Sequence, residues 1–205
     1  MRLVLATRNA HKAREFAALL APHEVVPLPD DVVLPPETGT TFAENALGKA
    51  RAAAAALGVV AIADDSGIEA AALDGAPGVY SARYAGPHAS DADNLAKLLR
   101  EAPAGSALAY VCAIAVVDPT GPGGPERPRE AVFEGRCTGT LDPEPRGEGG
   151  FGYDPAFVPD DPIAHGSGPR PRTMAELSVA EKDAISHRGH AARLLLPWLE
   201  RLSGG

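Results

Sequence analysis

Short apolar runs along the chain predict β-strands, and the run at 59–63 is typical of a buried strand. These runs are bounded by Gly, Pro, Asn and Asp, which mark turns. The strands are predicted, in chain order, at 2–6, near 24–28, at 59–63, at 68–73, at 107–118, at 129–141 and at the end of 149–159. The Pro/Gly-rich segments 118–130 and 158–172 are predicted to be surface loops, because apolar segments resume on either side of each.

Other segments repeat their apolar residues with the period of a helix and begin at residues that cap helices. Thr41 and Glu44 form a capping-box pattern, and so do Ser178 and Glu181. Helices are predicted at 10–20, from Thr41 to 57, from Ser90 or Asp91 to 101, and after Ser178, with a final helix that Ser186 could cap and that carries Trp198.

The alternation of strands and helices, with hairpin-like strand pairs in the middle, predicts an α/β fold. We expect a mixed β-sheet flanked by helices. A chain of 205 residues is the usual size of a single domain, so we expect residues 1–205 to form one domain.

Composition narrows the range of partners. The chain has 19 basic and 27 acidic residues, a net charge of −8, so we expect no general binding to nucleic acid or to an anionic membrane. Cys112 and Cys137 lie in strand-like runs and are predicted to be buried free thiols, as in a reducing compartment. No apolar run reaches the length of a membrane span, roughly 18 residues, and no signal peptide is evident. We therefore expect a soluble, cytoplasmic protein.

The first polar cluster lies where the first strand runs into the first helix, in "LATRNAHKAREF" (5–16). A helix N-terminus attracts anions, and Thr7, Asn9 and Lys12 would add a hydroxyl, an amide and a positive charge. A structural explanation is also open, because Asn9 is a good N-cap and Lys12 could point into water.

The second cluster is "ADDSG", which places Asp64 and Asp65 at the predicted end of a buried strand. Adjacent strand residues face opposite sides, so only one of the two carboxylates should enter a given cleft. A carboxylate opposite a phosphate-binding loop is typical of a Mg²⁺ site. The alternative is a simple Asp-Ser-Gly turn.

Two glutamates are further candidates for holding a metal ion. Glu44 has a structural explanation as a capping-box residue. Glu37, in the loop "PPETGTTF", has no such explanation in the sequence.

Two more clusters contain groups that suit a nucleotide. In "GGFGYD" (149–154), glycines allow close backbone approach and Phe151 could stack on a flat ring. In "SHRGH" (186–190), His187 and Arg188 could donate to carbonyl or phosphate oxygens. The structural alternatives are a glycine turn with a core aromatic and a solvated first helical turn.

Taken together, these segments resemble the inosine triphosphate pyrophosphatase family, and most closely its bacterial branch. The matching stretches occur in the family's order over nearly the whole chain: "LATRNAHKAREF", "ETGTTFAENALGKA", "ADDSGIEA", "LDGAPGVYSARYAG", "GGFGYDPAFVP" and "AELSVAEKDAISHRGHA". The resemblance implies a two-lobed α/β fold with a central cleft and a homodimer. It also implies Mg²⁺-dependent hydrolysis of non-standard purine nucleoside triphosphates (ITP, dITP and XTP) to the monophosphate and pyrophosphate.

The resemblance also assigns roles to individual residues. Asp65 would be the catalytic carboxylate and a Mg²⁺ ligand, with Glu37 as a second acidic residue near the metal. Substrate binding would fall to Thr7, Arg8, Asn9, Ala10, His11, Lys12, Ser66, Phe151, Gly152, Tyr153, Asp154, Lys182, His187 and Arg188. Arg8 stands where many members carry glycine, which implies an extra positive charge near the phosphates. The segment 160–172 is longer and richer in Pro and Gly than the family pattern.

Chemistry and family position make His187 and Arg188 candidate donors to the 6-oxo group of the base. A backbone N–H or Lys182 is a candidate second donor near position 2. With no nucleophilic Ser-His pair evident, we expect direct attack by water, with Asp65 orienting or deprotonating it. Two alternatives stay open at this point: a related pyrophosphatase for other modified nucleotides, and a nucleotide-binding regulator without turnover.

Overall fold

The computed structural model describes residues 1–121, 123–166 and 168–203. Pro122 and Ser167, within the two predicted Pro/Gly-rich loops, lie outside the described residues. The strands are β1 (Arg2–Leu5), β2 (Glu24–Pro27), β3 (Ala61–Ala70), β4 (Ala107–Asp118), β5 (Arg129–Leu141) and β6 (Phe157–Pro159). The α-helices are α1 (Ala10–Leu19), α2 (Phe42–Leu57), α3 (Asp91–Glu101), α4 (Val179–Ile185) and α5 (His187–Ser203). Short 3₁₀ helices lie at Ala71–Leu73, Gly78–Arg83, Asp154–Ala156, Pro162–Ala164 and Met174–Glu176.

The six strands form one sheet in the order β2-β1-β3-β4-β5-β6. β1 pairs in parallel with β2 and with β3, with Val4 opposite both Val26 and Ala61. β5 and β6 pair antiparallel, with Thr140 opposite Val158. The prediction of an α/β fold with a mixed sheet is therefore confirmed.

The helix starts follow the predicted capping chemistry. Thr41, Ser90 and Ser178 each cap a helix and take part in a complete capping box. Ser186, the predicted cap of the final helix, lies between α4 and α5 and is the C-cap residue of α4. These caps satisfy backbone N–H groups that a helix start leaves without an intrahelical partner.

The two strands predicted at 59–63 and 68–73 form a single strand, β3, and residues 71–73 are a 3₁₀ helix instead of a strand. β3 does not end at the "ADDSG" motif but continues to Ala70. The prediction that Asp64 and Asp65 terminate a strand was wrong, and so was the alternative of an Asp-Ser-Gly turn. The chain turns only at Asp74 and Gly75, which both have positive φ (51° and 88°). A polar residue can lie in the middle of a strand when neighbouring side chains satisfy its hydrogen bonds. The turn propensity of Asp, Ser and Gly does not show whether such partners are present.

The chain divides into two compact units. Unit 1 contains Met1–Asp65, Cys112–Gly135 and the segment from Arg188 onward, and unit 2 contains Ser66–Val111 and Arg136–His187. In unit 1, the core includes Leu5, Phe16, Ile62, Ile114 and Leu195. In unit 2, it includes Ile68, Leu98, Tyr110, Phe157 and Met174.

Two predictions from composition also concern the fold. Cys112 and Cys137 are buried and free of disulfides, as predicted. Within the described ranges, no helix has both the length and the apolar character that crossing a membrane requires.

Candidate active site

The alternation of side chains along β3 sends its two aspartates toward different helices. Asp64 lies two residues after Ile62, whose side chain joins the core cluster that contains Phe16 of α1 and Leu195 of α5. Residues two apart on a strand share a face, so Asp64 faces the same side. Asp65 points the other way and meets Asn45 of α2. Both carboxylates are buried, at 1% and 6% exposure.

Asp64 is surrounded by positive charge. The Nζ atom of Lys12 donates to its Oδ2 atom at 2.7 Å, and the Nε atom of Arg188 lies 3.7 Å from the same oxygen. The Nζ atom of Lys49 donates to its backbone carbonyl at 2.7 Å. Burial alone would raise the pKa of Asp64, but Lys12, Arg188 and Lys49 hold it below its usual value. Asp64 is therefore an ionised anchor for cations and not a proton carrier.

Asp65 has a different electrostatic environment. The Nδ2 atom of Asn45 donates to its Oδ2 atom at 2.8 Å. Burial raises the pKa of Asp65, and the nearby charge of Glu37 adds to this, against the opposing effects of Asn45, Lys49 and Lys12. A carboxyl group with a raised pKa is suited to accept a proton from water.

The sequence predictions missed two residues of this cluster, Asn45 and Lys49. They lie four residues apart on the buried face of α2 and are 5% and 8% exposed. The ammonium of Lys49 forms an ion pair with the carboxylate of Glu37. The available signal was the position of two polar residues on a helix face that is otherwise mainly alanine.

The segment before α1 forms a capped helix start. Asn9 is the N-cap, and its Oδ1 atom accepts from the N–H groups of His11 and Lys12 at 2.9 and 3.2 Å. Thr7 Oγ1 accepts from the N–H of Asn9 at 3.2 Å. Ala10 begins the helix, and the exposed ring of His11 contacts Arg14 at 2.9 Å. The structural explanation for Asn9 is thus correct, whereas Lys12 points at Asp64 and not into water.

Arg8 has a structural role that the sequence did not reveal. Its guanidinium donates to the carbonyl oxygens of Leu28, Pro29, Asp30 and Val32 at 2.8–3.3 Å. It also lies 3.4 Å from the Asp30 carboxylate. Arg8 therefore anchors the segment after β2, and its predicted contact with phosphates stays a prediction.

The carboxylate of Glu44 completes the capping box of α2. Its Oε2 atom accepts from the N–H groups of Thr40 and Thr41 at 2.7 and 3.3 Å, and from the hydroxyl of Thr40 at 3.0 Å. The bond from the Thr40 N–H is the main cause of the lowered pKa of Glu44. Of the two candidate glutamates, Glu44 is therefore the one with a complete structural explanation.

The residues that could hold a metal ion are few. Within the described ranges, no group of three or more His, Cys, Asp or Glu side chains has the arrangement of a metal site. Asp65 and Glu37 supply two hard oxygen donors, close enough for the charge of one to affect the other. Mg²⁺ is typically held by one or two carboxylates together with water and substrate phosphates. This pair fits that mode of binding and does not form a closed metal cage.

In unit 2, Asp154 organises the glycine-rich segment. Its Oδ1 atom accepts from the Tyr110 hydroxyl at 2.9 Å, and its Oδ2 atom accepts from Lys182 Nζ at 2.9 Å and from the Phe151 N–H at 3.0 Å. A Cβ atom at Gly150 would lie 2.0 Å from that Oδ2 atom, so any side chain there would force the Asp154 carboxylate to move.

Further contacts fix the rest of the segment. The N–H of Gly152 donates to Asp91 at 3.0 Å, and the hydroxyl of buried Tyr153 donates to the Ser81 carbonyl at 2.8 Å. Lys182 Nζ lies 5.2 Å from the centre of the half-buried Phe151 ring. Unit 2 thus presents an aromatic ring beside an ammonium group, which suits a flat polar ligand.

His187 and Arg188, the two candidate donors of the "SHRGH" motif, belong to different units. His187 is buried in unit 2, where it stacks on Tyr110 with ring centres 4.7 Å apart. Arg188 is buried in unit 1, where its Nη1 atom donates to Glu15 at 3.0 Å. Ser66, another predicted substrate contact, is half-buried directly after Asp65. The structural alternative of a solvated first helical turn at His187 and Arg188 is therefore wrong, because both are buried.

Comparison with known proteins identifies the family. The sequence profile of the Ham1 family matches residues 3–198. The chain belongs to the Ham1 family. A Ham1 relative from Mycolicibacterium paratuberculosis, named dITP/XTP pyrophosphatase, is 48% identical over 98% of this chain and 97% of its own length. A second relative, from Geobacillus kaustophilus, bears the same name and is 48% identical over 99% of this chain and 96% of its own length. The Ham1 protein structure from Coxiella burnetii matches with a TM-score of 0.83 and 39% identity, over 98% of this chain and 99% of that one. The family resemblance that the motifs indicated is thus confirmed.

Proposed function

We propose that this protein hydrolyses dITP, XTP and ITP to the corresponding monophosphate and pyrophosphate, with Mg²⁺ bound. The observation that carries the proposal is the cluster of Lys12, Lys49 and Arg188 with Asp64 and Asp65 around β3. The full-length similarity to proteins named dITP/XTP pyrophosphatase supports the choice of substrate.

Unit 1 contains groups suited to binding phosphates. The ten-residue helix α1 directs the positive end of its dipole toward Thr7 and Asn9. Lys12 uses one hydrogen-bond donor on Asp64, and an ammonium group has three, so the same side chain can also bind a phosphate oxygen. Because Asp64 holds the ammonium in place, little side-chain entropy is lost when the phosphate binds.

Asp65 is the residue that activates water in this proposal. Water attacks the α-phosphorus while Asp65 accepts its proton, and the bond from that phosphorus to the bridging oxygen breaks to release pyrophosphate. Asp65 and Glu37 would hold Mg²⁺, which would neutralise the negative charge of the triphosphate and of the departing pyrophosphate. Lys12 stabilises charge that grows on the phosphate oxygens during the attack.

Unit 2 supplies the residues proposed to contact the nucleoside. Phe151 offers a stacking surface, Lys182 and His187 offer donors, and Asp154 fixes the backbone between them. A site whose donors meet a 6-oxo group rejects a 6-amino group, because the amino group leaves those donors unpaired. The proposed order of preference is therefore ITP and XTP over ATP. We also expect GTP to be a poor substrate.

The decisive experiment measures pyrophosphate released by the purified full chain from ITP, dITP, XTP, GTP and ATP, with Mg²⁺ and with a chelator. We expect release from the first three, dependent on Mg²⁺, and a loss of at least ~10²-fold in the Asp65→Asn variant. Asp118→Asn is the matched control, because Asp118 is also buried on a strand of unit 1 but binds Thr120 and Arg129. No release from any of the five, or a fully active Asp65→Asn variant, would contradict the proposal.

The homodimer and the cytoplasmic location implied by the family stay predictions. Sedimentation of the full chain over a range of protein concentrations tests the first.

A further inference from the structure

The buried side-chain amide of Asn45 connects two separate parts of unit 1. Its Nδ2 atom donates to Asp65 Oδ2 at 2.8 Å, and its Oδ1 atom accepts from the N–H of Gly39 at 2.8 Å. A backbone N–H can only donate, so the amide oxygen must face Gly39 and the nitrogen must face Asp65. The orientation of the Asn45 amide is therefore determined by its partners.

The contact with Gly39 requires very close packing. A Cβ atom at position 39 would lie 2.7 Å from Asn45 Oδ1 and 2.8 Å from the Cβ of Glu44. Only glycine allows the loop to approach the first turn of α2 this closely. Glu37 lies two residues before Gly39 in the same loop, and its carboxylate pairs with Lys49, one helical turn after Asn45. One face of α2 thus holds Asp65 directly and the Glu37 loop at two points.

We propose that Asn45 is a positioning residue for the hydrolysis proposed above, on which this inference rests. The terminal torsion of an aspartate is intrinsically broad, so the strand alone does not fix the plane of the Asp65 carboxylate. The bond from Asn45 fixes that plane, and the bond to Gly39 sets the distance between Asp65 and the loop that carries Glu37. A carboxylate that must meet a water molecule and a phosphorus atom in line loses much of its effect when it is misplaced by about 1 Å.

A positioning role differs from a purely structural role in its kinetic effect. Asn45 does not touch the phosphates in this proposal, so its loss should lower kcat and leave KM close to that of the wild type. A general loss of stability would instead lower the fraction of folded enzyme, without a specific effect at temperatures well below unfolding.

The chain offers a matched control in Asn94. This residue is also a buried asparagine in the first turn of a helix, at 2% exposure. Its Oδ1 atom accepts from the N–H of Ala85 at 2.8 Å, and its Nδ2 atom donates to the Ala82 carbonyl at 3.2 Å. Asn94 therefore makes the same kind of loop contact as Asn45 but binds no carboxylate.

The experiment compares Asn45→Ala and Asn45→Asp with Asn94→Ala, measuring thermal unfolding and the kcat and KM of pyrophosphate release from ITP. We expect Asn45→Ala and Asn94→Ala to lose similar stability, but only the first to lose ~10- to 100-fold in kcat. Asn45→Asp keeps an acceptor for the N–H of Gly39. It places a second carboxylate against Asp65, so its kcat should fall at least as far.

Equal kcat values in Asn45→Ala and Asn94→Ala, or a wild-type kcat in Asn45→Asp, would overturn the inference while leaving the proposed function intact. An inactive wild type would instead refute the proposed function. The inference then has its own readout, a crystal structure of Asn45→Ala. We expect the Asp65 carboxylate to be rotated or disordered in that structure, and an unchanged orientation would refute the positioning role.

Discussion

The ammonium of Lys12 donates to the carboxylate of Asp64 across 2.7 Å, joining residues that are 52 positions apart in the chain. The Asp64 side chain is fully buried and that of Lys12 is 14% exposed. Breaking such a pair from one side leaves a buried charge with one partner fewer, which is costly. Lys12 therefore has a structural role in addition to its proposed contact with phosphate.

These two roles of Lys12 can be separated by a double-variant experiment. Lys12→Met should destabilise the protein by about 3 kcal/mol and reduce kcat/KM by at least ~10²-fold. Adding Asp64→Leu should recover most of the stability, because no unpaired charge remains, while activity stays lost. Denaturant unfolding and pyrophosphate release on the same samples measure the two effects. Recovery of activity together with stability would show that Lys12 only balances Asp64.

Replacing Arg188 is expected to lower kcat/KM equally for all substrates. Its guanidinium binds Glu15 and lies beside Asp64, so its loss should disturb the phosphate end of the proposed site. We expect Arg188→Ala to lower kcat/KM for ITP and ATP by the same factor. This revises the hypothesis, based on sequence, that Arg188 reads the 6-oxo group.

The matched variant for base selection is His187→Phe, which keeps an aromatic ring stacked on Tyr110 but removes both ring nitrogens. We expect it to reduce the preference for ITP over ATP. If Arg188→Ala changes this preference and His187→Phe does not, then Arg188 contacts the base and His187 does not.

Glu44 should matter for stability and not for the metal. Because its carboxylate caps α2, Glu44→Ala should lower the thermal unfolding midpoint, whereas Glu44→Gln should leave it nearly unchanged, since glutamine also completes the box. Neither variant should change the Mg²⁺ concentration that gives half-maximal activity. Glu37→Gln is the contrast and should raise that concentration. If Glu44→Gln needs a higher Mg²⁺ concentration for half-maximal activity, Glu44 helps to hold the metal ion and the purely structural explanation is wrong.

The glycine-rich segment of unit 2 allows a test of steric fit. Gly150 and Gly152 both have positive φ, 72° and 63°, so an alanine at either position has a similar backbone cost. Only at Gly150 would the new methyl group overlap Asp154; at Gly152 no atom lies within 4 Å. Gly150→Ala should therefore be less stable than Gly152→Ala by about 1–3 kcal/mol. Equal stabilities, measured by denaturant unfolding, would show that Asp154 can move aside.

The local elements of this protein were largely determined by its sequence. β4 and β5 have the predicted bounds, and the caps at Thr41 and Ser178 lie where a hydroxyl and a carboxyl side chain three residues apart indicated them. The cap of α3 is Ser90, one of the two candidates that the sequence offered. Such features depend on neighbours within one helical turn or on a run of apolar residues, so a short window of sequence contains the necessary information. The family motifs likewise identified Asp65 and Lys12 as candidates, and the family itself is confirmed.

Only the tertiary structure decided what these candidates contact. The sequence did not reveal that Lys12 pairs with Asp64, that Asn45 binds Asp65, or that Lys49 forms an ion pair with Glu37. The strand predicted from the sequence also ended before β3 does, because Asp64 and Asp65 resemble turn residues until their buried partners are known. A buried charge is tolerated only when other groups satisfy it, and here those groups come from helices distant in the sequence. The chemical character of each residue is local, but its ionisation and role depend on partners that only the folded chain brings together.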